Sequence, residues 1–444
     1  MNYFTVTNAI ISVLFGIMGL ITAHFVIFAL VGIFKRKKFK ETDQKLRYGI
    51  IIPTRNEETV VASLISSIRA ADYPQEKLHI FVVAHNCTDK TAEVARAAGA
   101  TVYEYNNPDE RRKGYAMRYI VDRINTDYGS ESFDGFFVFY ADNVIDGQYI
   151  NKMNNAFVAC GRKSIITSYR SSKNFGSNVI SAMYGLYFAY SCRFESAGRT
   201  VLGCSTRVAG TGFLMSSEII KDGWQYLSLS EDTELTADRL IKGTKVVYCD
   251  DAIFYDEQPT TVSVMWNQRL RWAKGHLGVF SMKAAEMIRT LFRGQKKGKI
   301  YRGSLCDILV GLTPLCIVAA AITLLQNIFF LLSPLFGGSL GDIYPTYLLN
   351  TLGTLLSSYG LLLISSTLLY FLERKKLPRA RASTVIAAIL LWPIFLLVAA
   401  PLQIIAPFCK NLAWKQIPHT HATAVENVTR GKKQEKKPVQ TAKI

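Results

Sequence analysis

Hydrophobic and polar positions divide the chain into two regimes. Long apolar runs lie at the two ends, and a mixed region lies between them. Asn8–Phe34 is almost free of charge and exceeds the roughly 20 apolar residues that a membrane span requires. Ile308–Leu335, Tyr344–Leu372 and Val385–Phe408 are three further apolar runs. Pro393, Pro401 and Pro407 interrupt the last one, and proline breaks the helical ladder, so this segment is expected to be broken or re-entrant. In the middle region short apolar runs alternate with helical spacing. Tyr48–Pro53, His79–Ala84, Ala100–Tyr105 and Phe136–Ala141 read as strands, the last apolar enough to be central. Asn56–Ala71 carries Val60, Val61, Leu64, Ile65 and Ile68 at helical spacing. Thr88 or Asp89 caps a helix ending near Ala98, and Arg112–Ile124 is another helix. The β-α-β-α-β order predicts an α/β, doubly wound sheet whose ligands sit at the C-terminal strand ends.

Charge then orients these elements. Met1–Thr7 has no Lys or Arg, whereas Lys35, Arg36, Lys37, Lys38 and Lys40 follow the first run directly. By the positive-inside bias the N-terminus lies outside and the middle region in the cytoplasm. Asp342, the one charge between the second and third runs, falls in an external loop, and Arg374, Lys375, Lys376, Arg379 and Arg381 mark a cytoplasmic one. Four units result: a membrane helix over 1–34, a cytoplasmic domain over 35–300, membrane segments over 301–410 (two spans and a broken third), and a basic, disordered tail over 411–444. The net charge of +18 comes largely from clusters beside apolar runs, which points to an anionic lipid surface and not to nucleic acid. The eight cysteines include no C-x-x-C pair, consistent with a reduced compartment.

Polar residues follow three of the strands: Pro53, Thr54, Arg55, Asn56 and Glu57 after the first, His85 to Asp89 after the second, and Asp142-Asn143 after the fourth. Turn chemistry alone accounts for such residues in any one loop, but less readily in three on one edge. Neither G-x-G-x-x-G nor G-x-x-x-x-G-K-[ST] is present, so a bound diphosphate needs cationic side chains or a metal ion.

Four motifs, Ile52–Glu57 with Asn86–Thr91, Tyr140-Ala-Asp-Asn143, Ser230-Glu-Asp-Thr233 and Gln268-Arg-Leu-Arg-Trp272, resemble family 2 of the inverting glycosyltransferases, which includes cellulose, hyaluronan and poly-N-acetylglucosamine synthases. The resemblance covers about Tyr48–His276 and implies a GT-A-like nucleotide-sugar domain with membrane helices around it. It implies a UDP-sugar donor, a glycan or lipid-linked acceptor, a plasma-membrane location and possible export partners. It places Pro53, Thr54, Glu57, His85, Asp89, Lys113, Gly114, Asp142, Gln268, Arg271 and Trp272 at the donor. Asp142 would hold Mg²⁺ or Mn²⁺, since hard cations take oxygen ligands. Asp232 would be the general base with Glu231 beside it, and Gly210, Thr211, Gly212 and Trp272 would meet the acceptor. Helix-terminal charge is the plain alternative for Glu231-Asp232. An interfacial amphipathic helix is the plain alternative for Gln268–Trp272. The metal motif departs from the family pattern, with Tyr140 where an acid is usual, and His85 stands near another expected acid. These departures keep open a second reading, a non-catalytic nucleotide- or glycan-binding membrane subunit.

Overall fold

A computed structural model describes residues 3–293, 301–337, 340–409 and residue 419. Most of the expected basic tail, including Arg430 and Lys432, therefore lies outside the described residues.

Among the described residues eight strands form one sheet: β1 (Tyr48–Thr54), β2 (Leu78–His85), β3 (Thr101–Tyr105), β4 (Gly135–Val138), β5 (Val144–Ile145), β6 (Ile165–Ser172), β7 (Phe213–Ser216) and β8 (Val246–Asp256). Their order is β3-β2-β1-β4-β7-β6-β8-β5. The first four strands run parallel, as the β-α-β reading expects. β7 is antiparallel to both β4 and β6, while β6 and β8 are parallel to one another. The sheet is therefore mixed, and β1, β2, β4, β6 and β8 all end on the same edge. That edge gathers the loops that the sequence marked and adds two it did not, the ends of β6 and β8.

Burial follows the period of each element. β1 is buried along most of its length, as expected of a strand covered on both faces. One face packs Ile50 and Ile52 with Leu64, Ile65 and Ile68 of the helix Val61–Arg69. The other packs Ile51, Phe81 and Val83 with Met117, Ile120 and Ile124 of the helix Lys113–Asp127. The helix predicted over Asn56–Ala71 thus starts later, because Asn56 has φ of 54° and its side chain bonds Thr88 instead.

Among the described residues four helices are long and apolar enough to cross a membrane: Thr5–Phe34, Leu315–Phe336, Tyr347–Glu373 and Ala382–Phe408. Two boundaries differ from the expectation. The run beginning at Ile308 is two helices, broken at Thr313-Pro314. Leu305, Ile308 and Leu312 of the first, Arg302–Leu312, are buried against Leu240, Val279 and Met287 of the α/β domain and its long helix Val262–Arg293. Apolarity alone does not separate a buried domain helix from a span. Asp342 falls within the helix Leu340–Glu373 and not in a loop. The last run divides into Ala382–Leu397 and Ala399–Ile405.

The spans are locked to the domain by buried charge. Arg36 at the end of the first span pairs with Glu373 at 2.7 Å and with Asp250 at 3.0 Å. Arg193 lies 3.3 Å from Glu373, and Lys376 lies 2.8 Å from Asp250. Asp250 reaches this junction through an irregularity: Ser168 faces Cys249 but Tyr169 faces Ile253, so Asp250–Ala252 bulge out of β8.

Candidate active site

The β4 end carries the centre of the site. Asp142 is 3% exposed, its Oδ1 accepting from Asn143 Nδ2 (3.1 Å) and its Oδ2 from the Glu257 N–H (2.8 Å). Asp256, just before it at the end of β8, accepts from Arg170 Nε at 2.7 Å and from Gln258 Nε2 at 2.5 Å. Burial pushes the Asp256 carboxyl up to about 6, with Arg170 opposing and Asp142 adding to the shift. Lys173, from the end of β6, lies 3.3 Å from Glu257 with almost no exposure. Arg170, Lys173, Asp256 and Glu257 were not singled out in the sequence. Their signal was available only through the antiparallel β7, which brings the β6 and β8 ends beside β4.

Tyr140 fills the position of the expected first acid, and its surroundings fit a ring better than a carboxylate. Lys113 Nζ stands 4.4 Å from the Tyr140 ring centroid, a cation–π distance. The same ammonium donates to the Gly210 carbonyl at 2.7 Å and pairs with Glu231 at 2.9 Å. A Cβ on Gly210 would strike the Tyr140 hydroxyl, and φ at Gly210 is 81°, so the turn requires glycine on both counts. Thr211 turns inward, is 1% exposed, and donates to Asn143 at 2.6 Å while accepting from the Tyr140 N–H. It fixes the β4 and β7 loops to each other.

Ser230 precedes the helix Glu231–Ile241, and Glu231, Asp232 and Glu234 occupy its first turn. Glu231 is held by Lys113, whereas among the described residues Asp232 Oδ1 accepts only from its neighbour Thr233. Burial first and the Glu231 charge second raise the Asp232 carboxyl to about 6, against the pull of Lys113 and Arg271. The pair has thus separated: one acid is neutralised by an ammonium, and the other has a proton affinity close to neutral pH. Ser230 abuts Gly275 of the long helix, where a Cβ would collide with it, so this helix and the acid pair are set against each other. Arg271 and Trp272 follow on the same helix. Gln268 Oε1 is buried without a partner among the described residues. Trp272 lies at 6.3 Å and 19° from the Tyr187 ring.

At the ends of β1 and β2, Glu57, Asn56 and the β2 loop interlock. Thr91 Oγ1 accepts from the Glu57 N–H, and Asp89 accepts from the Glu58 N–H and from Thr91. Asp89 therefore acts as the clamp of the loop as well as its cap. Thr54 is buried and donates to the Val83 carbonyl, leaving Pro53 half-buried at the rim. His85 is 3% exposed and stacked on Tyr105 at 5.3 Å and 13°. Burial lowers its proton affinity, so the ring is neutral. Gly114 is explained by packing: a Cβ there would meet the Tyr226 carbonyl.

His419, assigned from sequence to the disordered tail, is docked here. Its Nδ1 lies 2.9 and 3.0 Å from the two Glu57 oxygens, and its carbonyl accepts from Thr59 Oγ1 at 2.9 Å. Burial would lower its proton affinity, but Asp142, Glu57 and Glu257 raise it to about 9, so it is an imidazolium among three acids. A Lys-rich composition gave no sign of that.

The donor set suits a hard divalent cation only in part. Among the described residues no group of three or more His, Cys, Asp or Glu side chains is arranged to hold a metal ion. Asp142 offers one buried carboxylate, and Mg²⁺ is commonly bound by one or two carboxylates completed by substrate phosphates. A cation shared with a diphosphate fits; one held by the protein alone does not.

Comparison with known proteins agrees with this geometry. A model of the family described as "Glycosyltransferase like family 2" matches residues 46–275, more than half of the chain. The chain is 24% identical over 271 residues to the probable glycosyltransferase YdaM of Bacillus subtilis (strain 168), covering 57% of this chain and 63% of that protein. It is 20% identical over 237 residues to a poly-beta-1,6-N-acetyl-D-glucosamine synthase of Staphylococcus epidermidis, covering 51% and 54%. The chain thus spans between about half and two thirds of these relatives. The fold is similar to that of the mannosyltransferase PcManGT from Pyrobaculum calidifontis, solved with GDP-Man and Mn²⁺, at a TM-score of 0.57 and 16% identity over 87% of this chain and 98% of that one. On the family match and the site it covers, the chain belongs to glycosyltransferase-like family 2.

Proposed function

We propose that the protein transfers a hexosyl group, with inversion, from a nucleotide-sugar to a polysaccharide or lipid-linked acceptor at the cytoplasmic face of the plasma membrane, and that the donor is a UDP-sugar. The observation that carries this reading is the split of the acid pair, with Glu231 bound to Lys113 and Asp232 left to accept a proton at near-neutral pH. Asp232 Oδ takes the proton of the acceptor hydroxyl as that oxygen bonds the anomeric carbon. On the opposite side of the carbon, the bond to the diphosphate oxygen breaks and the nucleoside diphosphate leaves. Lys113 and Arg271 face the charge that develops there, within a site whose groups are already ordered. Gln268, whose Oε1 lacks a partner, orients the donor, and Trp272 presents its ring to the acceptor sugar. Pro53 and Glu57 border the nucleoside. Asp142 would share Mg²⁺ or Mn²⁺ with the diphosphate, and such an ion supplies Lewis-acid stabilisation of the leaving group. The mannosyltransferase of similar fold was solved with Mn²⁺, which agrees with this assignment.

The test is nucleoside diphosphate release by detergent-purified protein with a panel of UDP- and GDP-sugars, in Mg²⁺, Mn²⁺ or chelator. Release from one donor is expected, with a loss of about 10²–10⁴-fold in Asp232→Asn, the usual contribution of a general base. Tight nucleotide binding without release from any donor would reject catalysis and favour the non-catalytic subunit that Tyr140 suggests.

A further inference from the structure

Away from the α/β domain, a cavity of about 550 Å³ lies among three of the apolar helices. Thr7, Asn8, Ser12 and Phe15 line it from the first, Thr323, Gln326 and Phe329 from the second, and Tyr347, Asn350, Thr351 and Thr354 from the third. Its size falls in the range of about 300–1,000 Å³ typical of ligand sites. Thr7 to Phe15 lie roughly 30–40 Å along the helix from Phe34, where the chain enters the domain. The cavity therefore occupies the half of the membrane farther from the catalytic edge.

Its chemistry is unusual for such a depth. Four threonines direct their hydroxyls back to carbonyls of their own helices: Thr7 to Tyr3, Thr323 to Ala319, Thr351 to Tyr347 and Thr354 to Asn350. Asn8, Ser12, Gln326 and Asn350 have no side-chain hydrogen bond to another described residue. The three amides, one from each helix, have no side-chain partner among the described residues, and unmatched amides are costly within a membrane, so their convergence on one cavity indicates a polar occupant. No lining residue is charged among the described residues, which disfavours phosphate headgroups. Amides beside aromatic faces suit vicinal hydroxyls and sugar rings. None of the lining residues comes from Ala382–Phe408, the span packed on the α/β domain through Trp392 and Phe395, so the cavity is not an extension of the catalytic cleft.

We propose that this cavity binds the neutral, hydroxyl-rich headgroup of a membrane glycolipid from the leaflet opposite the catalytic domain. The inference is independent of the donor-site assignment.

The probe is a monoglucosyl-diacylglycerol with a photoreactive group on its sugar, in nanodiscs of phosphatidylglycerol holding the full-length protein. Saturable labelling is expected within residues 7–15, 323–330 and 347–355. Unlabelled glucosyl lipid should compete, and diacylglycerol or extra phosphatidylglycerol should not. Gln326→Leu with Asn350→Leu should lower labelling about tenfold, the effect of losing two ordinary hydrogen bonds, while donor hydrolysis stays unchanged. Labelling spread evenly over lipid-facing helix surfaces would overturn the proposal, showing a cavity that holds only water. Competition by soluble oligosaccharide but not by glucosyl lipid would overturn it in favour of a glycan in transit. If the double variant loses donor hydrolysis through misfolding, the competition pattern in the unaltered protein still decides.

Discussion

Glu231→Gln is the sharpest probe of the acid pair. Asp232 is pushed up to about 6 by burial first and by the Glu231 charge second, against the pull of Lys113 and Arg271. Two carboxylates roughly 6 Å apart at an effective dielectric of about 20 repel by ~2.8 kcal/mol, equivalent to ~2 pKa units. Lys113, 2.9 Å from Glu231, already cancels a good part of that repulsion, so the net change on neutralising Glu231 is about one unit. The direction is fixed. As the proposed base Asp232 acts when ionised, so activity is expected above its pKa and fades as pH falls through it. In Glu231→Gln the acid limb of kcat/KM should move down from about 6, and activity should persist in more acidic solution. Lys113→Met should act oppositely: Glu231 loses its counter-charge, the limb moves up, and donor KM also rises. The assay is nucleoside diphosphate release at subsaturating donor across the pH range, on protein shown by gel filtration to be folded. Two variants that shift the limb the same way, or leave it in place, would show that Asp232 is not the titrating base.

Three other outcomes follow from the same geometry. His419→Ala leaves Glu57, Asp142 and Glu257 without the imidazolium among them, so donor KM should rise about tenfold, the order of one charge-assisted hydrogen bond, in steady-state kinetics. An unchanged KM would make that contact incidental. Glu373→Leu leaves Arg193 without its carboxylate and Arg36 and Lys376 with Asp250 alone, and breaking a buried ion network from one side costs about 3–5 kcal/mol. A markedly lower Tm in detergent should result. Gly212 has φ of 66° and faces the Phe254 ring, so Gly212→Ala should lower both stability and activity, measured by thermal melts and donor hydrolysis.

How much of this was written in the sequence depends on how local each signal is. The β1, β2 and β3 strands and their helices were legible, because a buried parallel strand is an uninterrupted apolar run and its covering helix has a 3.6-residue stripe. The motifs at Asp142, Glu231-Asp232 and Gln268–Trp272 were legible for a similar reason, as short runs with their own chemistry. β6 and β8 were not, since Ile165–Ser172 and Val246–Asp256 mix serines, tyrosines and acids and their partners lie some 80 residues apart. Arg170, Lys173, Asp256 and Glu257 went unread with them. His419 was illegible for a stronger reason: its contact is with Glu57, 362 residues away, and nothing in its neighbourhood implies docking.

These missed residues alter how the Tyr140 substitution is understood. Taken alone, a tyrosine at an expected acid removes a ligand and weakens the case for catalysis. In the structure the ring supports the Lys113 ammonium, and that ammonium pairs with Glu231, which under the proposed mechanism leaves Asp232 to act as the base. An acid at residue 140 would compete with Glu231 for Lys113 and bring a third negative charge beside the pair. Meanwhile the acids missing from the loop after β4 are not missing from the site, for Asp256 and Glu257 arrive from β8 beside Asp142, each already paired with a base from β6. The departure from the family pattern is therefore a redistribution of charge across two strand ends. It predicts that restoring the family acid, Tyr140→Asp, lowers donor turnover instead of improving it. A gain in turnover would show that the paired acids of β8 do not stand in for the missing one.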